Sequence, residues 1–173
     1  MKVFYITGIP GVGKSSVVNK LAEKGVSPID ADSVNDLTYW VDNTTGEKSE
    51  WNPGMSKDWY SKHKYICNKE KLVDLISNSS KDILAVAGLF SNRSELWNLF
   101  DKVFLLQCKE KTFLKRITER ENHNFGKNIL EQENILSWYK NFEEKILSEG
   151  AILINADKIL YSAVDDIIKQ IVS

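Results

Sequence analysis

The chain has 173 residues, 42% of them hydrophobic, which is enough for one α/β domain with a buried core. Its net charge of −1 provides no basic field for nucleic acid or an anionic membrane, and the mixed charges and scarce proline argue against a disordered chain. Cys67 and Cys108 form no CxxC or Cys/His cluster, so we interpret them as free thiols in a reducing compartment. The first apolar run is too short for a signal peptide or a membrane span, and we expect a cytoplasmic protein.

Apolar runs and helical periodicity alternate along the chain. The predicted strands cover about residues 2–6, 26–29, 83–87, 102–106 and 151–154, and Pro28 keeps the second one short or at a sheet edge. The predicted helices cover about residues 14–24, 33–40, 58–77, 92–100, 110–121, 129–148 and 158–171. Asn92 and Glu95 resemble a capping box, and about residues 42–57 and 122–128 are predicted loops.

Unbroken apolar strands that alternate with helices predict a parallel sheet with helices on both faces and right-handed crossovers. The predicted architecture is therefore a three-layer α/β/α sandwich with five parallel strands. In such a sheet, ligands bind beyond the carboxyl ends of the strands, where the following loops converge. The residues that this places together are Lys14, Asp30, Asp32, Gly88, Arg93, Arg116 and Arg120.

The segment from Gly8 to Ser15, GIPGVGKS, fits the phosphate-loop pattern G-x-x-x-x-G-K-[ST]. A predicted strand precedes it and a predicted helix follows it, as the chemistry requires; the alternative is a glycine turn with a chance GKS. Glycines let the backbone approach a ligand, and the turn directs N–H groups at an anion on a helix N-terminus. Lys14 supplies a charge for the β- and γ-phosphates, and the Ser15 hydroxyl can ligate Mg²⁺. The predicted nucleotide-binding residues are Gly8, Ile9, Pro10, Gly11, Val12, Gly13, Lys14, Ser15 and Ser16.

Two aspartates follow the second predicted strand. Motor and switch ATPases usually place an acid at the end of a later apolar strand, but no acid stands at the ends of the third and fourth strands here. Asp30 and Asp32 are two residues apart on an extended chain, so we expect them to point the same way. One could bind Mg²⁺ through water and the other accept a proton from a substrate hydroxyl. The alternative is helix capping by Asp32 and a solvated Asp30.

With these motifs the chain resembles the small P-loop kinases of the shikimate kinase, gluconate kinase and nucleoside/nucleotide kinase group. The resemblance implies a P-loop NTPase fold with a small helical substrate and lid region. It implies that Asp30 lies near Mg²⁺ and that Asp32 binds the acceptor hydroxyl. Gly88 stands where that group has a glycine run that touches substrate. The implied organisation is a single kinase domain, with an acceptor-binding insert at about residues 33–80 and a lid at about residues 113–128.

The segment from Phe113 to Arg120 resembles the lid helix of these kinases. Arg116 and Arg120 are one helical turn apart and are expected to share a face. In the group, lid arginines fold over the phosphates and offset charge on the transferred group, and Lys127 would lie at the lid tip. The alternative is a pair of surface arginines that bind Glu119 or Glu121.

The insert is rich in aromatic residues, which could stack on a nucleobase or only pack the insert onto the core. Trp40 is our candidate among them for acceptor contact. Arg93 could hold an acidic group of the acceptor or face water. The aromatic residues are Tyr39, Trp40, Trp51, Trp59, Tyr60 and Tyr65.

These features predict an ATP- and Mg²⁺-dependent phosphotransferase that moves the γ-phosphate to a small acceptor, a nucleoside, nucleotide or sugar-like hydroxyl. Two alternatives remain. A polynucleotide 5′-hydroxyl kinase shares a Gly-x-Pro-Gly-x-Gly-Lys-Ser loop, but the net charge gives no sign of a basic groove. A nucleotide-binding switch or adaptor would have no small acceptor.

Overall fold

The computed structural model describes residues 1–121 and 123–172. In chain order, its strands are β1 (Lys2–Thr7), β2 (Ser27–Asp30), β3 (Thr38–Asp42), β4 (Lys48–Ser49), β5 (His63–Cys67), β6 (Ile83–Ala87), β7 (Lys102–Gln107) and β8 (Ile152–Asn155). Its α-helices are α1 (Lys14–Ala22), α2 (Lys57–Lys62), α3 (Lys69–Ser77), α4 (Arg93–Leu96), α5 (Glu110–Glu119), α6 (Ile129–Ser148) and α7 (Leu160–Val172). Short 3-10 helices cover Ala31–Ser33 and Trp97–Leu99. Within these described ranges, no helix is long and apolar enough to cross a membrane.

Five strands form the main sheet, in the order β2-β6-β1-β7-β8, and all its pairs are parallel. The central strand β1 is covered on both sides, because successive side chains from Val3 to Ile6 are all buried. An apolar run that buries both of its faces is typical of a parallel sheet. Pro28 lies in the four-residue edge strand β2, where its missing N–H costs no ladder bond. The predicted five-stranded parallel sheet is confirmed.

Helices pack on both faces of this sheet. On one face, Val17 of α1 and Ile167 of α7 join Phe104 of β7 in a single buried cluster. On the other face, Leu72 of α3 and Ile146 of α6 join a second buried cluster. The predicted α/β/α layers follow from this division, since the alternating side chains of each strand contribute to opposite clusters.

The insert is not helical as predicted. The helix predicted over residues 33–40 is wrong, and the helix predicted over residues 58–77 is interrupted by β5, because β3, β4 and β5 form an antiparallel sheet in the order β4-β3-β5. In its register, Tyr39 lies opposite Ile66 and Trp40 opposite Tyr65. Such aromatic and branched pairs stabilise antiparallel strands, so tertiary pairing overrides the local helical pattern. What remains helical is divided into the short α2 and the nine-residue α3.

Asn92 joins the small sheet to the main sheet. Its Nδ2 donates to the Cys67 backbone carbonyl and its Oδ1 accepts from the Cys67 backbone N–H, each at 3.0 Å. Beside it, the Ser91 N–H donates to the Tyr65 carbonyl at 2.8 Å. The predicted capping box is therefore wrong: the Asn92 side chain makes no cap bond to α4.

Candidate functional site

The phosphate loop lies between β1 and α1, as the motif predicts. Gly8, Gly11 and Gly13 have φ values of 152°, 79° and 107°, which side chains rarely adopt. Close packing adds a second constraint, since a Cβ on Gly11 would lie 2.6 Å from the Phe113 carbonyl oxygen. Helix α1 begins at Gly13 without a side-chain cap, so its first N–H groups remain available to an anion.

Lys14 folds back into this loop. Its Nζ donates to the carbonyl oxygens of Gly8 at 2.7 Å and Ile9 at 3.1 Å. Burial lowers the pKa of Lys14 to about 8; the charges of Asp32 and Asp30 oppose this shift and Arg120 adds to it. The ammonium is therefore held against carbonyl oxygens of the phosphate loop, with acids and an arginine from other loops within electrostatic range.

The two aspartates approach Lys14 by a different local structure from the one expected. Asp30 ends β2 with extended backbone, and the chain then enters the 3-10 helix Ala31–Ser33, which contains Asp32. The expectation that both lie on an extended chain is thus wrong. The alternative, capping of a helix by Asp32, does not hold either, since no α-helix begins after it before α2. Both aspartates nevertheless act on the Lys14 charge.

Asp32 is held by two side chains of the small sheet. Its Oδ1 accepts from the Tyr65 hydroxyl at 2.8 Å and from the Thr38 hydroxyl at 3.3 Å. Tyr65 and Thr38 also bond each other at 2.6 Å. Burial and then the Asp32 charge raise the pKa of Tyr65, which keeps this phenol a donor. Thr38 was not predicted as a site residue, and Tyr65 was predicted only as an aromatic residue of the insert, because both lie in segments with a helical pattern.

The Arg116 side chain binds the phosphate loop. Its Nη1 donates to the Val12 carbonyl at 3.1 Å and its Nη2 to the Ala156 carbonyl at 3.0 Å. It thereby ties the phosphate loop to the chain that follows β8. The alternative pairing with Glu119 is not among these contacts.

Arg120 does not share its contacts with Arg116, because it lies just after the last residue of α5 and has extended backbone. It donates through Nη2 to the Phe125 carbonyl, while its buried Nε has no hydrogen-bond partner in the described part of the chain. Burial lowers the pKa of Arg120, and the Asp32 and Glu131 carboxylates oppose that shift. Lys127 is exposed beyond this turn. Asn122, inside the predicted lid, lies outside the described residues.

Aromatic side chains link the insert to the loop that carries Phe125. Trp40 contacts three others, with ring centroids 5.0 to 5.7 Å apart. Trp51 contacts Phe125 at 5.6 Å and donates through Nε1 to the Tyr60 hydroxyl at 2.9 Å. This aromatic cluster reaches Asp32 through Tyr65. Its members are Trp40, Trp51, Trp59, Tyr60, Tyr65 and Phe125.

Gly88 and Arg93, both predicted acceptor contacts, have separate surroundings. A Cβ on Gly88 would lie 3.2 Å from the Cβ of Ala31, so Gly88 directly backs the turn between the two aspartates. Arg93 instead pairs with Glu149, at 3.3 Å, and lies over the ring of Phe142. The structure brings Lys14, the aspartates and Arg120 together, but it places Arg93 against α6.

Away from the candidate site, a pocket of about 470 Å³ lies between the ends of β7 and β8 and helix α6. Glu143 is 6% exposed there. Its Oε2 accepts from the Gln107 amide at 2.6 Å, while its Oε1 has no hydrogen-bond partner among the described residues. Burial raises the pKa of Glu143, which the Gln107 bond partly opposes.

We expect Glu143→Gln to raise the free energy of unfolding near neutral pH by about 1 kcal/mol, because it removes a desolvated charge. A carboxyl with a raised pKa favours folding while it is protonated and loses that contribution as pH rises through the raised value. The gain should therefore shrink as the pH falls toward the ordinary value of 4.5. Urea unfolding at several pH values measures the free energy of unfolding of the variant and the parent. The control is Glu144→Gln, which changes an exposed neighbour. A loss of stability in Glu143→Gln, or an increase that does not depend on pH, would contradict this expectation.

A family model described as AAA domain matches residues 5–148. The chain belongs to the AAA domain family. The matched part of this AAA domain protein runs from within β1 to the end of α6, and so contains the phosphate loop, Asp30 and Asp32, and the three arginines Arg93, Arg116 and Arg120. A comparison with curated proteins gives no match.

Solved structures resemble this AAA domain protein over its whole length. A deoxyadenosine kinase from M. mycoides with bound dATP has 15% identity and a TM-score of 0.60, with 100% of each chain covered. The same enzyme with the products dCMP and a flexible dCDP has 12% identity, 98% coverage of each chain and a TM-score of 0.60. An unliganded sugar kinase from Janibacter sp. HTCC2649 has 13% identity, coverage of 99% of this chain and 94% of that chain, and a TM-score of 0.59.

At these identities the likeness concerns the fold. The predicted P-loop NTPase α/β fold is confirmed, and so is the predicted resemblance to small P-loop kinases.

Proposed function

We propose that the protein is an ATP-dependent phosphotransferase that moves the γ-phosphate to a hydroxyl of a small molecule. The observation that carries this proposal is the phosphate loop, in which Lys14 lies 2.7 Å from the Gly8 carbonyl and α1 starts without a side-chain cap. Asp32, Asp30 and Arg120 act on the same ammonium. With Lys14, these residues come from three separate loops. An acid beside the phosphate loop can accept the proton of an acceptor hydroxyl. A cation in addition to Lys14 can stabilise the negative charge of the phosphoryl group during transfer.

The donor half of this assignment rests on the loop. Its N–H groups and the uncapped start of α1 would hold the phosphates, and Lys14 would move from the Gly8 and Ile9 carbonyls to phosphate oxygens. Mg²⁺ would bind the exposed Ser15 hydroxyl and, through water, Asp30, and when bound it neutralises phosphate charge.

The acceptor half rests on Asp32. Because Tyr65 and Thr38 occupy Oδ1, the Oδ2 atom is left to orient an acceptor hydroxyl and to accept its proton. The nearby aromatic cluster supports an acceptor with a flat or apolar part, such as a nucleoside, nucleotide or sugar. Kinases with this fold include one of deoxyadenosine and one of sugars. Residues 33–80 would form this acceptor-binding insert, with Trp40, Gly88 and Arg93 as its further candidates.

Residues 113–128 would act as the lid of a single kinase domain. Arg120 is the lid residue best suited to the transferring group, because its buried Nε has no hydrogen-bond partner among the residues that the structure describes and its charge lies within range of Asp32. A cation in this role can contribute on the order of 10³-fold or more to the rate. Arg116 would act from the donor side, where it already contacts the phosphate loop, and Lys127 would add charge from the lid tip.

An acceptor screen tests this function. The protein is incubated with ATP or GTP, Mg²⁺ and one of a panel of nucleosides, nucleoside monophosphates, sugars and an oligonucleotide with a free 5′-hydroxyl. We expect nucleoside diphosphate release well above the background without acceptor for one small-molecule class, and a phosphorylated product by mass spectrometry. Stimulation by the oligonucleotide alone would identify a polynucleotide kinase, and slow hydrolysis insensitive to all acceptors would identify a switch protein.

A further inference from the structure

Glu131 joins the two loops that face each other across the candidate site. It is fully buried in the first turn of α6. Its Oε1 accepts from the Gly54 backbone N–H at 2.9 Å, and its Oε2 accepts from the Gly126 backbone N–H at 2.6 Å. Gly54 belongs to the insert and Gly126 to the loop after α5. One carboxylate thus bridges the predicted acceptor side and the predicted lid side.

The loop that Glu131 holds also carries Arg120. Phe125, next to Gly126, accepts the Arg120 guanidinium on its carbonyl oxygen. Its ring contacts Trp51 at 5.6 Å and Tyr60 at 6.3 Å. The position of the Arg120 charge is therefore set by the same short segment that packs against the aromatic residues of the insert.

We propose that Glu131 is a positioning residue that couples the acceptor side to Arg120. This inference rests on the proposed phosphotransferase function, and it assigns a role to a residue that touches neither substrate. An acceptor that packs against Trp51 and Tyr60 would fix the position of the insert. Through its two hydrogen bonds, Glu131 would then fix Gly126 relative to the insert. The neighbouring Phe125 carbonyl would hold Arg120 in place for transfer. Without an acceptor the arginine is less well placed, which keeps idle hydrolysis of the nucleotide low.

Only a carboxylate fits both bonds. Each carboxylate oxygen is an acceptor, whereas a glutamine has one acceptor oxygen and would turn an N–H₂ donor toward the second backbone N–H. The loop cannot shift easily to compensate. Gly126 has a φ of 85°, and a Cβ there would lie 2.8 Å from Ile117. Removing one of the bonds would therefore leave a buried donor unpaired and loosen one loop from the other.

The test compares Glu131→Gln with Glu133→Gln. Glu133 lies half a turn away on the same helix and pairs with Lys57 of the insert at 3.6 Å, but both side chains are exposed. The first readout is the release of nucleoside diphosphate with and without the acceptor found in the screen. We expect Glu131→Gln to lower acceptor-dependent turnover about tenfold or more, with the KM for ATP unchanged and the idle fraction of hydrolysis raised; Glu133→Gln should match the parent.

The second readout does not need an acceptor. Backbone amide exchange is followed in peptides around Gly54 and Gly126 with a non-hydrolysable ATP analogue. The analogue should slow exchange in both peptides of the parent but only in the Gly126 peptide of Glu131→Gln. Equal protection in both proteins, or unchanged turnover ratios, overturns the inference. If no acceptor stimulates even the parent, the proposed function fails while the exchange readout still decides the coupling. Glu131→Asp, which keeps the charge but shortens the reach, serves if the glutamine variant does not fold.

Discussion

Replacing Lys14 with alanine is expected to lower the rate of phosphoryl transfer about 10²-fold to 10³-fold or more, while the fold is retained. Lys14 is the cation that the loop holds closest to its own carbonyls, at 2.7 Å from Gly8, and no other side chain of the loop carries a charge. Loss of the ammonium leaves the β- and γ-phosphates without that neutralisation. The variant is compared with the parent by acceptor-dependent ADP release and by circular dichroism.

The matched control is Lys20→Ala. Lys20 lies on the same helix, α1, but its Nζ pairs with Glu23 at 2.6 Å, away from the loop. It should keep nearly all activity. If the Lys14 variant turned over ATP and acceptor at near-parent rates, the proposed mechanism would be wrong.

Burial of Lys14 also gives this test a stability signature. The pKa of Lys14 is lowered to about 8 from 10.5, so the unfolded chain binds this proton more tightly than the folded one. The charged amine therefore costs stability below about pH 8, and that cost disappears as the pH rises toward 10.5. We expect the nucleotide-free alanine variant to be at least as stable as the parent at pH 7, with the difference narrowing above pH 8. Nucleotide affinity of the parent should fall over the same rise in pH, since the amine loses its charge.

Asp32→Asn is expected to lower transfer by roughly 10²-fold to 10⁴-fold while nucleotide binding persists. The amide has the same shape and can still accept from Tyr65, but it cannot take a proton from an acceptor hydroxyl. Asp32 lies outside the phosphate loop, which explains why the affinity for nucleotide should change little. Steady-state turnover and equilibrium binding of a non-hydrolysable analogue measure the two effects separately.

Asp36→Asn provides the control, because Asp36 is exposed and pairs with Lys48 at 2.9 Å. Tyr65→Phe should fall between the two, with a loss of about tenfold, since it removes one of the bonds that orient Asp32 but leaves the carboxylate. Equal activity in the parent and Asp32→Asn would remove Asp32 from the mechanism.

The parallel sheet and the phosphate loop could be predicted because their signals are local. Strands such as Ile83–Ala87 are unbroken apolar runs that end at turn residues, and the loop is defined by glycines and a lysine at fixed spacing. Long-range pairing then has little freedom, since alternating strands and helices favour parallel neighbours with right-handed crossovers. The bounds of α6, at Ile129–Ser148, agree with the prediction because Asn128 caps it and its apolar spacing is sustained.

The small antiparallel sheet could not be predicted in the same way. Its strand β5 is five residues long, and its partner β3 lies more than twenty residues earlier in the chain. Neither segment alone therefore predicts the pairing. Two local signals were available. Asn68 accepts from the Lys71 N–H as the cap of α3, which divides the predicted helix of residues 58–77, and Thr38–Val41 is rich in β-forming residues.

Because the small sheet was not predicted, the contacts that orient Asp32 were not predicted either. The orientation of Asp32 depends on Thr38 and Tyr65, which meet only through the register of β3 and β5. The sequence does not mark Glu131 as a buried bridge, because a glutamate in the first turn of a helix is usually a favourable surface charge. The roles of the individual site residues remain predictions that the variants above test.

The attachment of the small sheet through Asn92 has an evolutionary consequence. A side-chain amide there takes the place of a peptide unit, binding both the N–H and the carbonyl of Cys67. The junction is thus concentrated at the end where Thr38 lies opposite Cys67, and the turn between β3 and β4 lies at the far end, beyond Asp42. This hairpin can lengthen or shorten at its tip without moving Asp32, which makes residues 44–46 a natural point for insertions and deletions.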